Sequence, residues 1–244
     1  MEEKNTMATK FGFLSKLEFL QDWASSLIAG INPAVVHNLE KYHTLKKVHY
    51  LSTIEDVEGD YLEFGVFTGS SFCHSIRCCH KMARLNPKTL QTSFFGFDSF
   101  AGFGTLAEDD KHPFYTEENF ATSLTQVNRR VGRVAKGITF QLVPGFFSDS
   151  LKDGSGHYGI NKARIIFIDS DTYSSASEAL TFCLPAVQEG TFVVLDDYYS
   201  YRGSEERGVT RAFAEFVEHG RLKVRHVFTY GMGGAVYVVS GKAA

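Results

Sequence analysis

The chain has 244 residues, which is enough for one large domain with a substantial core and short for two ordinary domains. Hydrophobic residues make up 43% of it and charged residues 22%, a composition that is typical of globular proteins and argues against disorder. The formal net charge is -3, and no cluster of lysine and arginine stands out. We therefore expect neither nucleic acid nor a membrane as a partner.

The N-terminal part is predicted to be helical. Residues 11–55 form two predicted helices, because apolar residues recur at three-to-four spacing and Gly30 and Pro33 break the pattern between them. We treat residues 1–58 as a helical extension, separate from a main domain over 59–244. Such an extension covers a substrate site or forms a subunit contact, and by analogy we expect a homodimer.

Nothing in the N-terminal sequence indicates a membrane or an export signal. The first ten residues are polar and mixed in charge, which is not typical of a signal peptide. The apolar stretch over 19–31 is interrupted by Gln21, Asp22 and Ser25, so it is too polar to span a bilayer. A cytoplasmic enzyme is the resulting expectation.

From residue 60 onwards, predicted strands and helices alternate. Strands are predicted at 61–66, 93–97, 138–143, 164–168, 191–195, 223–228 and 234–239. Helices are predicted at 70–82, after the loop 101–118, at 175–184 and at 208–219. Short, continuously apolar strands that alternate with helices are typical of an α/β fold with a mainly parallel sheet covered on both faces. No helix separates the last two strands, so one of them must run antiparallel.

In an open parallel sheet, ligands bind outside the carboxyl ends of the strands. The first such end carries the sequence EFGVFTG over 63–69, in which Gly65 permits a tight turn and Gly69 a close approach to a ligand. Its glycine spacing departs from the Gly-x-Gly-x-x-Gly fingerprint of dinucleotide-binding proteins. The carboxylate of Glu63 suits the ammonium and sulfonium charges of S-adenosylmethionine better than a pyrophosphate. An ordinary glycine turn between strand and helix is the alternative.

Acidic residues also follow the later strands. Asp98 ends the second strand, where a carboxylate can accept both ribose hydroxyls of an adenosine or, alternatively, cap a turn. Asp169 and Asp171 follow the strand over 164–168, and Asp196 and Asp197 follow the strand over 191–195. Carboxylates gathered at one edge repel one another unless a cation lies among them, and Mg²⁺, Mn²⁺ and Ca²⁺ prefer such oxygen ligands.

Two details bear on this predicted metal site. Side chains alternate along a strand, so Asp196 and Asp197 can bind one ion only if the chain has already left the strand there. Asp171 or Thr172 could instead cap the following helix, but Ser175 and Glu178 have the spacing of a capping box and make that role unnecessary.

Taken in order, these motifs resemble the macrocin O-methyltransferase family, whose members methylate sugar hydroxyls of antibiotics and related natural products. The matching segments are 62–70, 97–102, 145–151, 168–173 and 195–198. The resemblance implies a class I, S-adenosylmethionine-dependent methyltransferase fold with a reversed C-terminal strand. It also implies Mg²⁺, or another hard divalent cation, held by Asp169, Asp196 and Asp197, with Asp171 as general base.

The resemblance further implies an adenosine site near Asp98 and the turn at Gly145 and Phe146. The residues expected at the cofactor are Glu63, Gly65, Phe67, Gly69, Ser70, Asp98, Ser99, Gly145, Phe146 and Asp169. The loop over 101–118 is expected near the acceptor, which gives His112 a weak claim to binding or catalysis.

The expected reaction is methylation of a sugar hydroxyl, in which the metal ion orients the acceptor and Asp171 takes its proton. A catechol offers the same pair of neighbouring oxygens as a sugar, so a catechol acceptor stays open, as does an amine. A non-catalytic nucleotide-binding Rossmann protein or a dehydrogenase is a further alternative, against which the glycine spacing and the four aspartates argue.

Overall fold

A computed structural model of the chain describes residues 17–115 and 120–242. By its internal contacts the chain divides into two compact units, residues 1–38 and residues 39–244. Residues 39–58 of the predicted N-terminal extension thus fall in the larger unit, and residues 11–16 of its first predicted helix lie outside the described residues. None of the helices in the described ranges is long and apolar enough to cross a membrane.

The two N-terminal helices occur where the sequence predicts them. Helix α1 spans Glu18–Gly30 and α2 spans Pro33–Ile54. The backbone leaves the helical conformation at Ile31, and the side chain of Asn32 then accepts a hydrogen bond of 2.9 Å from the backbone N–H of Ala34. Proline at the first helical position suits this helix start because no N–H is needed there. None of the side chains of α1 is buried.

The larger unit contains a seven-stranded sheet in the order β3-β2-β1-β4-β5-β7-β6. The strands are β1 (Asp60–Phe64), β2 (Phe94–Asp98), β3 (Phe140–Pro144), β4 (Ala163–Ile168), β5 (Phe192–Leu195), β6 (Leu222–Tyr230) and β7 (Gly234–Lys242). The further helices are α3 (Ser70–Met82), α4 (Leu124–Gly132), α5 (Phe147–Ser150), α6 (Tyr173–Cys183) and α7 (Gly208–His219), besides 3₁₀ turns and a kinked segment at Ser200–Gly203. β1 to β5 pair in parallel, and β7 is antiparallel to both of its neighbours. The predicted fold class, with its reversed C-terminal strand, is confirmed.

The central strands of the sheet are buried on both faces, as their apolar runs predict. In β4, Ile166 and Ile168 belong to one apolar cluster, together with residues of α6 and α7. The alternate residues Ile165 and Phe167 belong to a second cluster, together with residues of α2, α3 and α4. Because side chains alternate along a strand, a strand that is apolar at every position must be covered on both sides.

The order of the strands determines where a ligand can bind. β1 pairs with β2 on one side and with β4 on the other, so the chain reverses its direction of winding at this point. Open sheets bind ligands in the crevice outside the carboxyl ends of strands at such a switch point. The backbone N–H of Asp169 donates 2.8 Å to the carbonyl of Phe64, which joins the ends of β1 and β4 there.

One helix start differs from its prediction. The capping box proposed for Ser175 and Glu178 is wrong, because α6 already begins at Tyr173. Thr172 is the N-cap residue, and its hydroxyl accepts a hydrogen bond of 3.3 Å from the backbone N–H of Ser175. The capping alternative weighed from the sequence is therefore correct for Thr172. It leaves the Asp171 side chain available for another role.

Candidate active site

The turn after β1 is shaped by residues in the left-handed backbone region. Gly65 and Gly69 have φ angles of 94° and 74°, and Phe67 between them has φ of 47°. A non-glycine residue in this region is uncommon and is strained. The turn exposes 39% of Phe67 and leads directly into α3 at Ser70. Four residues that were predicted to bind the cofactor thus lie together at the switch point.

The side chain of Glu63 is completely buried beside this turn. One carboxylate oxygen accepts a hydrogen bond of 2.6 Å from the hydroxyl of Ser71, and the other accepts one of 2.5 Å from Tyr61. Burial raises the pKa of Glu63 to about 7, although both hydrogen bonds act to lower it. The direct electrostatic role predicted for Glu63 toward a cofactor stays a prediction, since both of its oxygens are engaged within the protein.

Asp98 links two loops at the end of β2. Its carboxylate accepts hydrogen bonds from the backbone N–H groups of Phe67, at 2.7 Å, and of Phe100, at 2.6 Å. Phe100 has φ of 56°, so the carboxylate holds a second strained loop in place. Burial raises the pKa of Asp98, and these backbone hydrogen bonds oppose the rise. A carboxylate has about four acceptor positions in all, so Asp98 can still accept a hydrogen bond from a ribose hydroxyl.

The remaining predicted cofactor residues lie on the same side of the sheet. The hydroxyl of Ser99 donates to the carbonyl of Gly102 at 2.6 Å, which closes the loop after β2. The backbone N–H of Gly145 donates 3.0 Å to the carbonyl of Asp98, so the ends of β2 and β3 are joined. Phe146 follows with 44% of its surface exposed. The structure therefore brings the segments after β1, β2 and β3 together.

The acidic residues converge next to this group. The ligand atoms of Asp169, Asp196 and Asp197 lie within 4.8 Å of one another. β5 ends at Leu195, so Asp196 and Asp197 lie beyond the strand and can both face one ion, as the prediction requires. Asp196 is buried, while Asp169 and Asp197 are half-buried. The predicted metal ligands thus come together, on neighbouring strand ends.

A lysine from outside the predicted motifs contacts this cluster. The ammonium group of Lys41, on α2, lies 2.9 Å from Asp169 Oδ2 and 2.6 Å from Asp196 Oδ2. The phenolic hydroxyl of Tyr230 donates to the other oxygen of Asp196 at 2.7 Å. Lys41 thus forms ion pairs with two of the aspartates, Asp169 and Asp196.

The protonation of the cluster reflects an excess of acid. Burial raises the pKa values of Asp169 and Asp171 well above the usual value. Repulsion by Asp196 raises the pKa of Asp169 further, and repulsion by Asp197 raises that of Asp171. Burial opposes the charge of Lys41, yet attraction by Asp169 and Asp196 raises its pKa well above the usual value. The raised pKa values of these carboxyl groups and of the ammonium are what mutual repulsion among acids and attraction to a cation produce.

Asp171 has an unusual backbone conformation. Its φ of 63° lies in the left-handed region, which non-glycine residues adopt only when the surroundings impose it. After burial, the neighbouring carboxyl group of Asp197 is the largest influence that raises the pKa of Asp171. Because Thr172 provides the cap of α6, the strain at Asp171 has no role in starting that helix. Such strain is concentrated at functional sites.

These features agree with an independent comparison of the sequence. Residues 21–224 match the family model described as Macrocin-O-methyltransferase (TylF). The chain belongs to the macrocin O-methyltransferase family. The match includes α2, β1 to β5 and all four aspartates, and it confirms the resemblance inferred from the motifs.

Two relatives of the chain are O-methyltransferases by name. The chain is 29% identical over 181 residues to mycinamicin III 3''-O-methyltransferase of Micromonospora griseorubida, which covers 68% of this chain and 66% of the relative. It is 28% identical over 178 residues to 8-demethyl-8-(2,3-dimethoxy-alpha-L-rhamnosyl)-tetracenomycin-C 4'-O-methyltransferase of Streptomyces olivaceus. That alignment covers 68% of this chain and 64% of the relative. The aligned region thus spans slightly less than two thirds of either relative.

A solved structure of similar fold is that of CalS11, a calicheamicin methyltransferase. The two chains superpose with a TM-score of 0.65 at 17% sequence identity, over 98% of this chain and 94% of CalS11. At 17% identity this similarity is evidence for the fold alone, and it covers nearly the whole length of the chain.

The macrocin O-methyltransferase motifs left three residues of the cluster unpredicted. Lys41 and Tyr230 lie on α2 and at the end of β6, far from any motif in sequence. Tyr115 comes from the loop predicted near the acceptor, and its hydroxyl lies 3.2 Å from Asp197 Oδ1. The sequence signal that could have indicated Tyr115 was the position of that loop, from which His112 was predicted instead. His112 stacks on the ring of Tyr115 with 4.4 Å between the centroids.

Proposed function

We propose that this member of the macrocin O-methyltransferase family is an S-adenosylmethionine-dependent O-methyltransferase that uses Mg²⁺ or another hard divalent cation. Its acceptor is a hydroxyl group of a sugar or of a related small natural product. The observation that carries the proposal is the convergence of Asp169, Asp171, Asp196 and Asp197 at two neighbouring strand ends, beside the glycine turn at the switch point.

The cofactor-binding residues are assigned from the loops that meet at the switch point. S-adenosylmethionine supplies an activated methyl group when bound. Gly65 and Gly69 allow the backbone to approach it, and Asp98 accepts its ribose hydroxyls while bracing the loops at Phe67 and Phe100. The exposed ring of Phe146 offers an apolar surface at the neighbouring turn. Ser70, Ser99, Gly145 and Asp169 complete the set; Glu63 braces α3 through Ser71.

The three metal ligands are chosen for their chemistry and their spacing. Asp169, Asp196 and Asp197 offer oxygen atoms, which hard divalent cations prefer, within 4.8 Å of one another. The ammonium of Lys41 between Asp169 and Asp196 indicates that this position attracts a cation. A divalent cation bound there supplies a Lewis acid that lowers the pKa of a hydroxyl group.

Asp171 is assigned as the general base. It lies close enough to the proposed metal ligands for their charges to raise its pKa, and its backbone is in the strained left-handed region. Burial and the neighbouring carboxyl raise its pKa, which makes its carboxylate a stronger base than an exposed aspartate. Asp171 would take the hydroxyl proton of the acceptor as the acceptor oxygen gains the methyl group; the methyl–sulfur bond would break and S-adenosylhomocysteine would leave. Positioning by the surrounding loops supplies much of the remaining rate.

The first test is calorimetric titration with S-adenosylhomocysteine, followed by a methyl-transfer assay. We expect S-adenosylhomocysteine to bind, and methyl transfer to be lost in excess chelator and restored by Mg²⁺. Asp196→Asn should abolish turnover and largely spare cofactor affinity, whereas Asp153→Asn, at an exposed position, should behave as wild type. Full activity in excess chelator would contradict the metal role, and failure to bind S-adenosylhomocysteine would contradict the assigned cofactor.

An acceptor panel decides the substrate class. A rhamnoside, a catechol and an amino sugar should be compared, with the position of the new methyl group determined by mass spectrometry and NMR. Methylation of a rhamnoside hydroxyl is expected, because one relative is named for a substrate that carries a rhamnosyl group. Exclusive methylation of the catechol or of the amine would replace the sugar assignment by one of the two alternatives.

The cytoplasmic location and the homodimer stay predictions.

A further inference from the structure

Lys41 is the least expected feature of the site. It comes from α2, more than a hundred residues before the aspartates in sequence, and only 8% of it is exposed. Its position is fixed from two sides. Its ammonium lies 5.8 Å from the centre of the Phe167 ring, on β4, and the adjacent Glu40 accepts a hydrogen bond of 2.7 Å from the backbone N–H of Gly231. A buried lysine held in this way is part of the site and not a solvated surface residue.

The ammonium uses the oxygens that a metal ion would need. Lys41 Nζ is 2.6 Å from Asp196 Oδ2, and Asp196 Oδ1 accepts the hydroxyl of Tyr230. Both oxygens of this carboxylate are thus engaged. Asp169 Oδ2 is engaged by the same ammonium at 2.9 Å. A divalent cation that binds Asp169 and Asp196 must therefore displace Lys41 from one or both carboxylates, or lie close to its positive charge.

We propose that Lys41 is a counter-ion within the protein that competes with the divalent cation for Asp169 and Asp196. This proposal rests on the proposed function. The ammonium stabilises the aspartates before metal binds, because clustered buried carboxylates without a cation are costly. The same contact makes metal binding an exchange in which the ammonium gives up carboxylate oxygens. Lys41 thus lowers the affinity of the site for a divalent cation and is a positioning residue for the acids.

The test measures metal affinity without turnover, by the EPR signal of free Mn²⁺ in titrations of metal-free protein. Lys41→Met removes the competing charge, and we expect it to bind Mn²⁺ about tenfold more tightly or better than wild type. Lys46→Met is the matched control, because it removes an exposed lysine from the same helix and should leave the affinity unchanged. Lys41→Arg keeps the charge and should bind no more tightly than wild type.

A second measurement, of melting temperature, tests the proposal even if Lys41→Met folds poorly without metal. Removing one partner of a buried ion pair destabilises a protein, so metal-free Lys41→Met should melt at a lower temperature than wild type. Added Mn²⁺ should then raise its melting temperature by more than it raises that of wild type, since the metal replaces the lost charge. Lys41→Gln keeps a polar group but no charge. Added Mn²⁺ should likewise raise its melting temperature by more than it raises that of wild type.

The outcomes separate the two proposals. Equal Mn²⁺ affinity in wild type and Lys41→Met, or weaker binding in the variant, overturns the competition and leaves the metal site intact. Absence of Mn²⁺ binding in every variant overturns the metal site of the proposed function itself. Tighter binding in Lys41→Met that is abolished by adding Asp169→Asn supports both, because it assigns the bound ion to the aspartate cluster.

Discussion

The carbonyl oxygen of Asp169 occupies the place that a Cβ atom on Gly65 would need. The two residues directly follow β1 and β4, which are neighbours in the sheet, and Gly65 has φ of 94°. The close approach therefore depends on glycine both for space and for backbone conformation. It also fixes the distance between the turn after β1 and Asp169, the first of the proposed metal ligands.

Gly65→Ala should accordingly be among the most damaging substitutions at the switch point. We expect it to lower the free energy of unfolding by about 2–5 kcal/mol, through overpacking and backbone strain together. Gly137→Ala is the control, since Gly137 has φ of 74° but open space around a Cβ, and should cost only about 1 kcal/mol. Urea denaturation measures both. Similar values for the two variants would show that strain alone matters at Gly65.

Glu63 should give the protein a pH-dependent loss of stability. In the unfolded chain this carboxyl ionises near its ordinary pKa, whereas burial keeps it protonated in the folded state up to about pH 7. Between these values the folded state binds more protons, so its stability falls as pH rises, by about 3 kcal/mol in total. Above pH 7 the loss is complete and constant.

Glu63→Gln isolates this contribution, because the amide has the same shape and does not ionise. The difference in unfolding free energy between Glu63→Gln and wild type should shift in favour of the variant from pH 4.5 to 7.5, when both are followed by urea denaturation. A difference that does not vary with pH would mean that Glu63 ionises in the folded state as it does in the unfolded chain.

The sequence predicts the fold well because local and global patterns agree. Apolar strands such as β4 and β5 are continuous runs, and each is followed by polar residues at its carboxyl end. Turn geometry is harder to predict. The early end of β1 at Phe64 and the cap of α6 at Thr172 depend on backbone angles and hydrogen bonds that residue types alone leave open.

The site was predicted where its residues follow strands and was missed elsewhere. Asp169, Asp196 and Asp197 could be brought together from sequence because parallel strands end at a common edge. Lys41 and Tyr115 could not, because a helix and a long loop place them there only through tertiary packing. A lone lysine or tyrosine has no pattern that distinguishes it from a solvated residue.

Tyr115 should matter through Asp197. Its hydroxyl donates to Asp197 Oδ1 at 3.2 Å, and Ser200 also contacts that oxygen. Tyr115→Phe should weaken Mn²⁺ binding about tenfold, because groups that orient metal ligands commonly have effects of this size. Tyr199→Phe, at an exposed ring two residues after Asp197, should leave the affinity unchanged. Equal affinities in the two variants would show that Ser200 alone suffices to orient Asp197.

Asp171→Asn should separate proton transfer from metal binding. Asparagine tolerates the left-handed backbone at this position, so the φ of 63° should persist and the protein should keep its stability. The amide accepts no proton, so kcat should fall by about 10²–10⁴, while the KM for S-adenosylmethionine and the Mn²⁺ affinity change little. Asp169→Asn should by contrast lose Mn²⁺ binding together with turnover. If Asp171→Asn lost metal binding as well, the aspartate would be a ligand rather than the base, and the proton would have to pass to another group.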